Sequence, residues 1–142
     1  MQVSYSAESV LDSTLPRDDL RVLLVYPNTR DVAMANLGFQ QVYSLLNKIE
    51  GVICDRFAMP VGWKPETQYL EREELRSMDL QMHPLEFDVI AFSISFEPDY
   101  LNTVLALKYF GIPVDRKERD ASCPMITAGG SAIFINPEPL AE

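Results

Sequence analysis

The sequence predicts a doubly wound α/β domain, a three-layer α/β/α arrangement around a mainly parallel sheet, and three observations carry that reading. Val22 to Tyr26 and Val89 to Ser95 are short, largely apolar runs of the kind that suits strands buried on both faces. Each run leads through a loop into a helical pattern closed by a glycine, Gly51 in the first unit and Gly111 in the second. Strands alternating with helical patterns imply right-handed crossovers and a sheet covered on both faces.

Taken in order, Met1 to Asp19 is polar, carries Pro16 and shows no convincing period, so residues 1–20 are expected to form an arm, extended or as a short surface helix, and partly disordered. The domain proper spans residues 21–142. Its organising stretch is Arg21 to Gly51: a strand over Val22 to Tyr26 that Pro27 ends, a polar loop, and a helix capped by Asn36. Phe39, Val42, Leu46 and Ile49 recur at helical spacing, with Tyr43 and Leu45 widening the stripe. Val52 to Met59 reads as a second strand, at a sheet edge because of Asp55 and Arg56, and Pro60 closes it.

Val61 to Phe87 is the least legible part. The charged run Glu66 to Ser77 reads as a short helix that buries Tyr69, Leu70 and Leu75 and leaves a solvated face of Glu71, Arg72, Glu73, Glu74 and Arg76. Val89 to Ser95 is the third strand. Asp99 is the expected N-cap of the next helix, whose face is Tyr100, Val104, Leu107 and Phe110 with Leu101 and Leu105 beside it; Gly111 and Pro113 stop it. A charged connection then leads to a fourth strand, Pro124 to Ala128, which runs into Gly129, Gly130 and Ser131 and the short apolar Ala132 to Ile135. Domains of this kind end on a further strand, so the chain is expected to be a piece of a longer protein that lacks its last strand here.

A chain of 142 residues, 47% hydrophobic, suits one domain with a real core. Twelve Lys and Arg against 21 Asp and Glu give a formal charge of -9, which repels nucleic-acid phosphates and anionic lipid. Neither nucleic acid nor membrane is an expected partner, since no apolar run reaches spanning length and the first 20 residues lack signal-peptide character. Cys54 and Cys123 have no companions at metal-ligand spacing and read as free thiols in a reducing cytoplasm.

In an open parallel sheet, ligands bind outside the carboxyl ends of the strands, where strand order reverses. That rule selects three loops: Pro27 to Asn36, Ser93 to Asp99, and Gly129 to Asn136. Asn28, Thr29 and Asn36 offer neutral polar contacts, Ser93, Ser95 and Ser131 offer hydroxyls, and Gly129 and Gly130 allow close approach to the backbone. Turn geometry and local backbone bonding account for the same glycines and serines without a ligand. Asp31, Glu97 and Asp99 form a potential carboxylate cluster for acid-base or magnesium chemistry, with capping and solvation as the plainer explanation. His83 has no spaced partner. Gly-rich phosphate loops with Lys, GxGxxG and the nucleophile elbow are all missing from the sequence.

VLLVYPNTRDVAMANLGFQQVYSLLNKIEGV, FDVIAFSISFEPDYLN and ITAGGSAIFINPEPLAE closely resemble the amino-terminal region of an uncharacterised family of radical S-adenosylmethionine proteins, over roughly Arg21 to Glu142. That region is similar to a cobalamin-binding, flavodoxin-like domain. The resemblance implies three signals: DxHxxG after strand one, SxL after strand three, and GG after strand four. Ser93-Ile94-Ser95 stands at the second and Gly129-Gly130 at the third, while the first is degenerate, with Asp31, Ala33 and Asn36 at its spacing. Ala33 would occupy the place of the cobalt-ligating histidine, and its methyl group cannot coordinate a metal. The resemblance therefore implies cobalamin held without a His ligand at Asn28, Thr29, Asp31, Asn36, Ser93, Ser95, Gly129, Gly130 and Ser131, or a fold that has lost the cofactor.

Radical S-adenosylmethionine enzymes hold a 4Fe-4S cluster through CxxxCxxC, which Cys54 and Cys123 do not supply. The cluster and S-adenosylmethionine are accordingly expected in a catalytic domain elsewhere in the same parent chain. This chain is then an accessory domain, not catalytic alone, that covers the catalytic domain or supplies a corrinoid to it. Two other readings are weaker. A response-regulator receiver needs acidic residues where Tyr26-Pro27 and Ser93-Ile94-Ser95 stand, and a free-standing enzyme built on Asp31, Glu97 or Asp99 lacks a base or nucleophile at recognisable spacing.

Overall fold

Side-chain alternation along β1 (Leu20–Thr29) dictates the layering, because successive residues of a strand point to opposite faces. The computed structural model describes residues 18–66, 70 and 74–141. Leu23 and Val25 enter one core with Phe57, Ile90 and Phe110, whereas Val22, Leu24 and Tyr26 enter the other with Ala33, Phe39 and Cys54. Both faces of β1 are buried, as an apolar run without polar alternation requires. β1 pairs in parallel with β2 (Val52–Met59) on one side and with β3 (Val89–Ser93) on the other. β4 (Met125–Gly129) pairs in parallel with β3, so the four strands lie in the order β2-β1-β3-β4. The expected parallel α/β sheet is present, with β2 at an edge.

Helices α1 (Arg30–Ala35) and α2 (Leu37–Leu46) follow β1 and pack against β1 and β2 on the face that holds Phe39. Helix α3 (Asp99–Phe110) follows β3 and packs on the opposite face, where Phe110 meets Phe57 edge-to-face at 5.0 Å. A five-residue helix, α4 (Ser131–Ile135), follows β4. Gly111 closes α3 in the left-handed region at φ 77°, as its sequence position predicts.

Several expectations are corrected in detail. Pro27 does not end β1, which continues to Thr29; the register with β2 slips between Tyr26 and Thr29, so the missing N–H of Pro27 falls at a bulge. Most of the polar loop expected from Pro27 to Asn36 is in fact α1, over residues 30–35, held down by the wholly buried Ala33. Helix α2 stops at Leu46, well before Gly51, because the Asn47 side chain turns back to bond Cys54 N and O at 3.0 Å each. Ile49 consequently lies beyond the helix, and Val42, Leu45 and Ile49 are exposed, leaving Phe39 as the fully buried anchor of that stripe. The third strand stops at Ser93.

Asp99 is the first residue of α3 and not its side-chain cap; the helix buries Asp99, Asn102, Thr103, Ala106, Leu107 and Phe110, so the packed face is rotated from the expected one and Leu101 points outward. Of the helix expected over Glu66 to Ser77, residues 67–69 and 71–73 lie outside the described residues, and 75–77 are not helical; Leu75 is buried as expected. The expected N-terminal arm lies outside the described residues up to residue 17.

The β2 edge is sealed by residues 77–82. Met78 N donates to Arg56 O at 2.8 Å, and the wholly buried Asp55 carboxylate accepts from Asp79 N at 3.1 Å and from Leu80 N at 2.7 Å. Across the same edge Arg56 pairs with Asp79 at 3.2 Å and stacks over Tyr43, whose hydroxyl donates to Asp79 at 2.9 Å. Burial, helped by the neighbouring Asp55 charge, pushes the Cys54 thiol from an ordinary 9.0 to about 12. Burial and the bond to Asp79 push the half-buried Tyr43 phenol from 10.0 to about 12.

In the unfolded chain both groups ionise earlier, so through this alkaline window the folded state holds protons that the unfolded state has released, and stability falls as pH rises. Urea unfolding should show a loss of about 2 kcal/mol between about pH 9 and pH 11, most of it from Cys54, because the Tyr43 share is screened by solvent. The slope should flatten in Cys54→Ala. A wild-type stability unchanged over that interval would refute this account.

Candidate functional groove

The order β2-β1-β3-β4 places the switch point between β1 and β3, because the chain leaves β1 toward α1 and α2 on one face and leaves β3 toward α3 on the other. On the α3 side of that point, Asn28 Nδ2 donates to Asp99 Oδ1 at 3.0 Å, and Asn102 Nδ2 donates to the same oxygen at 3.3 Å. Asp99 is buried and its Oδ2 has no hydrogen-bond partner; burial pushes its carboxyl above the usual range against the pull of Asn28 and Asn102. This arrangement ties β1 to α3.

On the α2 side lies a groove with a volume of about 470 Å³. Its origin is in the register: Leu24, Ala91 and Thr127 form one row across β1, β3 and β4, and α2 packs chiefly over β2. The sheet face of β3 and β4 is therefore left open beside the helix, with Met125 and Thr127 exposed. Leu24 and Ala91 give the groove an apolar floor, Phe39 and Val42 give it a wall, and Asn36, Ser93, Ser95 and Ser131 give its upper end hydroxyl and amide groups. Among the described residues, none that lines it is charged. An uncharged organic molecule with a flat apolar body and a few hydrogen-bonding atoms suits such a surface.

Asn36 governs the upper end. Its Oδ1 caps α2 by accepting from Phe39 N at 2.9 Å, which aims Nδ2 toward Ser95 Oγ at 3.3 Å and Tyr26 Oη at 3.5 Å. The turns after β3 and β4 are locked together beside it, with Ile94 N donating to Gly129 O at 2.8 Å and Ala132 N to Ile94 O at 3.2 Å. Ser131 Oγ reaches Ser95 O at 3.4 Å. A Cβ on Gly130 would meet Ile94 O at 2.3 Å, so this glycine is required by the junction itself; one on Gly129 would meet nothing within 4 Å.

Of the residues expected at a site, Asn36, Ser93, Ser95, Gly129, Gly130 and Ser131 line the groove. Asn28, Thr29 and Asp31 do not. Asn28 serves Asp99 and Thr29 N, and Asp31 is exposed on α1, its carboxyl held below the usual range chiefly by the Thr29 hydroxyl. The potential carboxylate cluster does not form: Asp31 and Glu97 face solvent while Asp99 is buried. Among the described residues no three His, Cys, Asp or Glu side chains converge to hold a metal. His83 caps a 3₁₀ turn, Pro84–Glu86, accepting from Leu85 N at 3.1 Å. Leu24, Ala91 and Thr127 also line the groove, and their common signal is a cross-strand register that single-segment periodicity does not carry; Phe39 and Val42 line it from α2, where helical spacing marks them only as a packing stripe.

The donor set bears on a corrinoid in one clear way. Ala33, which the resemblance sets where a cobalt-ligating histidine would stand, is wholly buried in the same core as Phe39 and is not among the groove's lining residues. The groove end presents neutral hydrogen-bonding groups from Asn36, Ser93 and Ser95 and the open side of Gly129. No helix among the described residues is long and apolar enough to cross a membrane.

Comparison with known proteins places these features in a family. No curated protein and no solved structure matches the chain. A family profile described as "Radical SAM proteins, N-terminal" matches residues 38–142, from α2 through all three later strands. The chain belongs to this family of radical SAM protein N-terminal domains.

Proposed function

We propose that this domain covers a radical SAM catalytic domain of the same parent chain and holds a corrinoid in its groove without ligating cobalt. The observation that carries the reading is the uncharged groove at the β1/β3 switch point, where Asn36, Ser95 and Gly129 converge beside an apolar floor. A bound corrinoid would supply alkyl-transfer chemistry at its cobalt. This chain's residues would orient it: Asn36 and the serines by hydrogen bonds, Phe39 and Val42 by excluding water from its apolar side. The 4Fe-4S cluster and S-adenosylmethionine would belong to the catalytic domain, and the strand-end loops would face its open mouth. Iron-sulfur chemistry in this domain finds no support in Cys54, which is buried, and Cys123, which stands apart from it.

A second reading, a domain that has lost the cofactor and serves only for docking, draws on the exposed Leu37, Leu45, Phe134 and Ile135 around the groove and on α4. One experiment separates the two. The purified chain is incubated with hydroxocobalamin, desalted, and examined by visible absorption. Retention of colour approaching one corrinoid per chain is the expected result. A folded but colourless protein would remove the cofactor and leave the docking reading.

A further inference from the structure

We infer that Asn36 is the residue that grips the groove's ligand, donating from Nδ2 to a neutral acceptor atom; this rests on the groove being a corrinoid site. The amide orientation is fixed by chemistry, since only Oδ1 can accept from Phe39 N at 2.9 Å, and Nδ2 must then face the sheet. Its two present partners are distant, Ser95 Oγ at 3.3 Å and Tyr26 Oη at 3.5 Å, near the limit for an N–H···O bond. Both partners are hydroxyls that accept from Nδ2 here, and each keeps a proton of its own that can donate elsewhere. An acceptor entering the groove therefore gains a short bond to Nδ2 at little cost to the fold.

Charge narrows the class of acceptor. Among the described residues no Lys, Arg or His lines the groove, so an anionic phosphate oxygen would lack a counter-charge there, whereas an amide carbonyl or a ring nitrogen would lose nothing. A corrinoid offers both, the carbonyls on its ring amides and the nitrogen in its nucleotide base. The two sources are separable with cobinamide, which keeps the ring amides and lacks the base.

Asn36→Asp isolates the role from the structural duty of the residue. Aspartate caps a helix as well as asparagine, and its carboxylate can accept from Ser95 and Tyr26, so the unfolding midpoint should stay near wild type. It cannot donate to a neutral acceptor and repels one. Binding of hydroxocobalamin, read by titration of the visible spectrum, should weaken roughly tenfold or more, the worth of one hydrogen bond with a polar partner left unmade. Asn36→Ser, which keeps an oxygen cap without a charge or the reach of the amide, should weaken it similarly and serves if the aspartate variant fails to fold. Loss for both cobalamin and cobinamide assigns the acceptor to the ring amides, and loss for cobalamin alone assigns it to the base. Binding by either variant within about twofold of wild type would overturn the inference and leave the corrinoid reading standing. No binding by wild type would overturn both.

Discussion

Replacing Asp55 with alanine should destabilise the fold by about 3 kcal/mol, more than any surface change on this molecule. The side chain is wholly buried, and its carboxylate is taken up by the chain itself: it accepts from the backbone N–H groups of Arg56 at 2.7 Å, Asp79 at 3.1 Å and Leu80 at 2.7 Å, and from the Ser77 hydroxyl. Alanine strands these donors against the side of β2, where residues 77–82 close the sheet edge. Two effects oppose each other. Burial raises the cost of the Asp55 charge and pushes its carboxyl upward, so its removal relieves a penalty, whereas each stranded buried donor costs about 1–3 kcal/mol. Several donors against one charge make the loss the larger. Asp55→Asn, which keeps one acceptor oxygen, should cost about half as much. Urea denaturation decides it: a loss below about 1 kcal/mol for the alanine variant would mean that water replaces the carboxylate and that the edge segment is not anchored there.

Asp55 also shows where sequence legibility stops. A charged pair inside Val52 to Met59 is enough to place that strand at an edge, and the edge is real, but the sequence suggests solvent where the structure has a buried anchor. The partner segment, residues 77–82, carries no period of its own and is shaped by Asp55 and by the Ser77 hydroxyl, which accepts from Met82 N at 3.0 Å. Contacts of that kind are long-range and leave no local trace. Strand identity was legible because burial on both faces demands continuous apolar runs, and Asn36 and Gly111 were legible because caps act within a few residues. The packed face of α3 was not, because a polar set, Asp99, Asn102 and Thr103, turns toward Asn28 and displaces the apolar stripe.

The groove divides in the same way. Its upper end lies on strand-end loops that topology alone selects, so Asn36, Ser93, Ser95 and the Gly129 to Ser131 turn could be named from the sequence. Its floor depends on Leu24, Ala91 and Thr127 standing in one row, which is a property of register between strands about thirty-five to seventy residues apart. Three expected residues fall elsewhere because β1 runs on past Pro27 and α1 carries Asp31 outward.

The two adjacent glycines should behave oppositely, with Gly130→Ala costing at least about 3 kcal/mol and Gly129→Ala costing almost nothing. Gly130 stands at φ 111° and ψ 172°, a region closed to residues with a Cβ, and its Cβ would lie 2.3 Å from Ile94 O. Ile94 cannot retreat: it is wholly buried, its N–H is bonded to Gly129 O and its carbonyl accepts from Ala132 N. Gly129 has an ordinary strand conformation and open space where a Cβ would go, so alanine there trims unfolded-state entropy without a clash. Thermal and urea unfolding of the two variants test this, and a Gly130→Ala protein within about 1 kcal/mol of wild type would show that the β3–β4 junction can yield. The contrast separates what a Gly-Gly pair contributes to a fold from what it contributes to a ligand. Gly130 is demanded by the Ile94 backbone just past β3 whether or not the groove is filled. Gly129 is the glycine whose missing side chain leaves room in the groove, so a stable Gly129→Ala that binds hydroxocobalamin less tightly would locate the corrinoid against this turn, and one that binds it equally well would place the corrinoid farther along the Leu24–Ala91 floor.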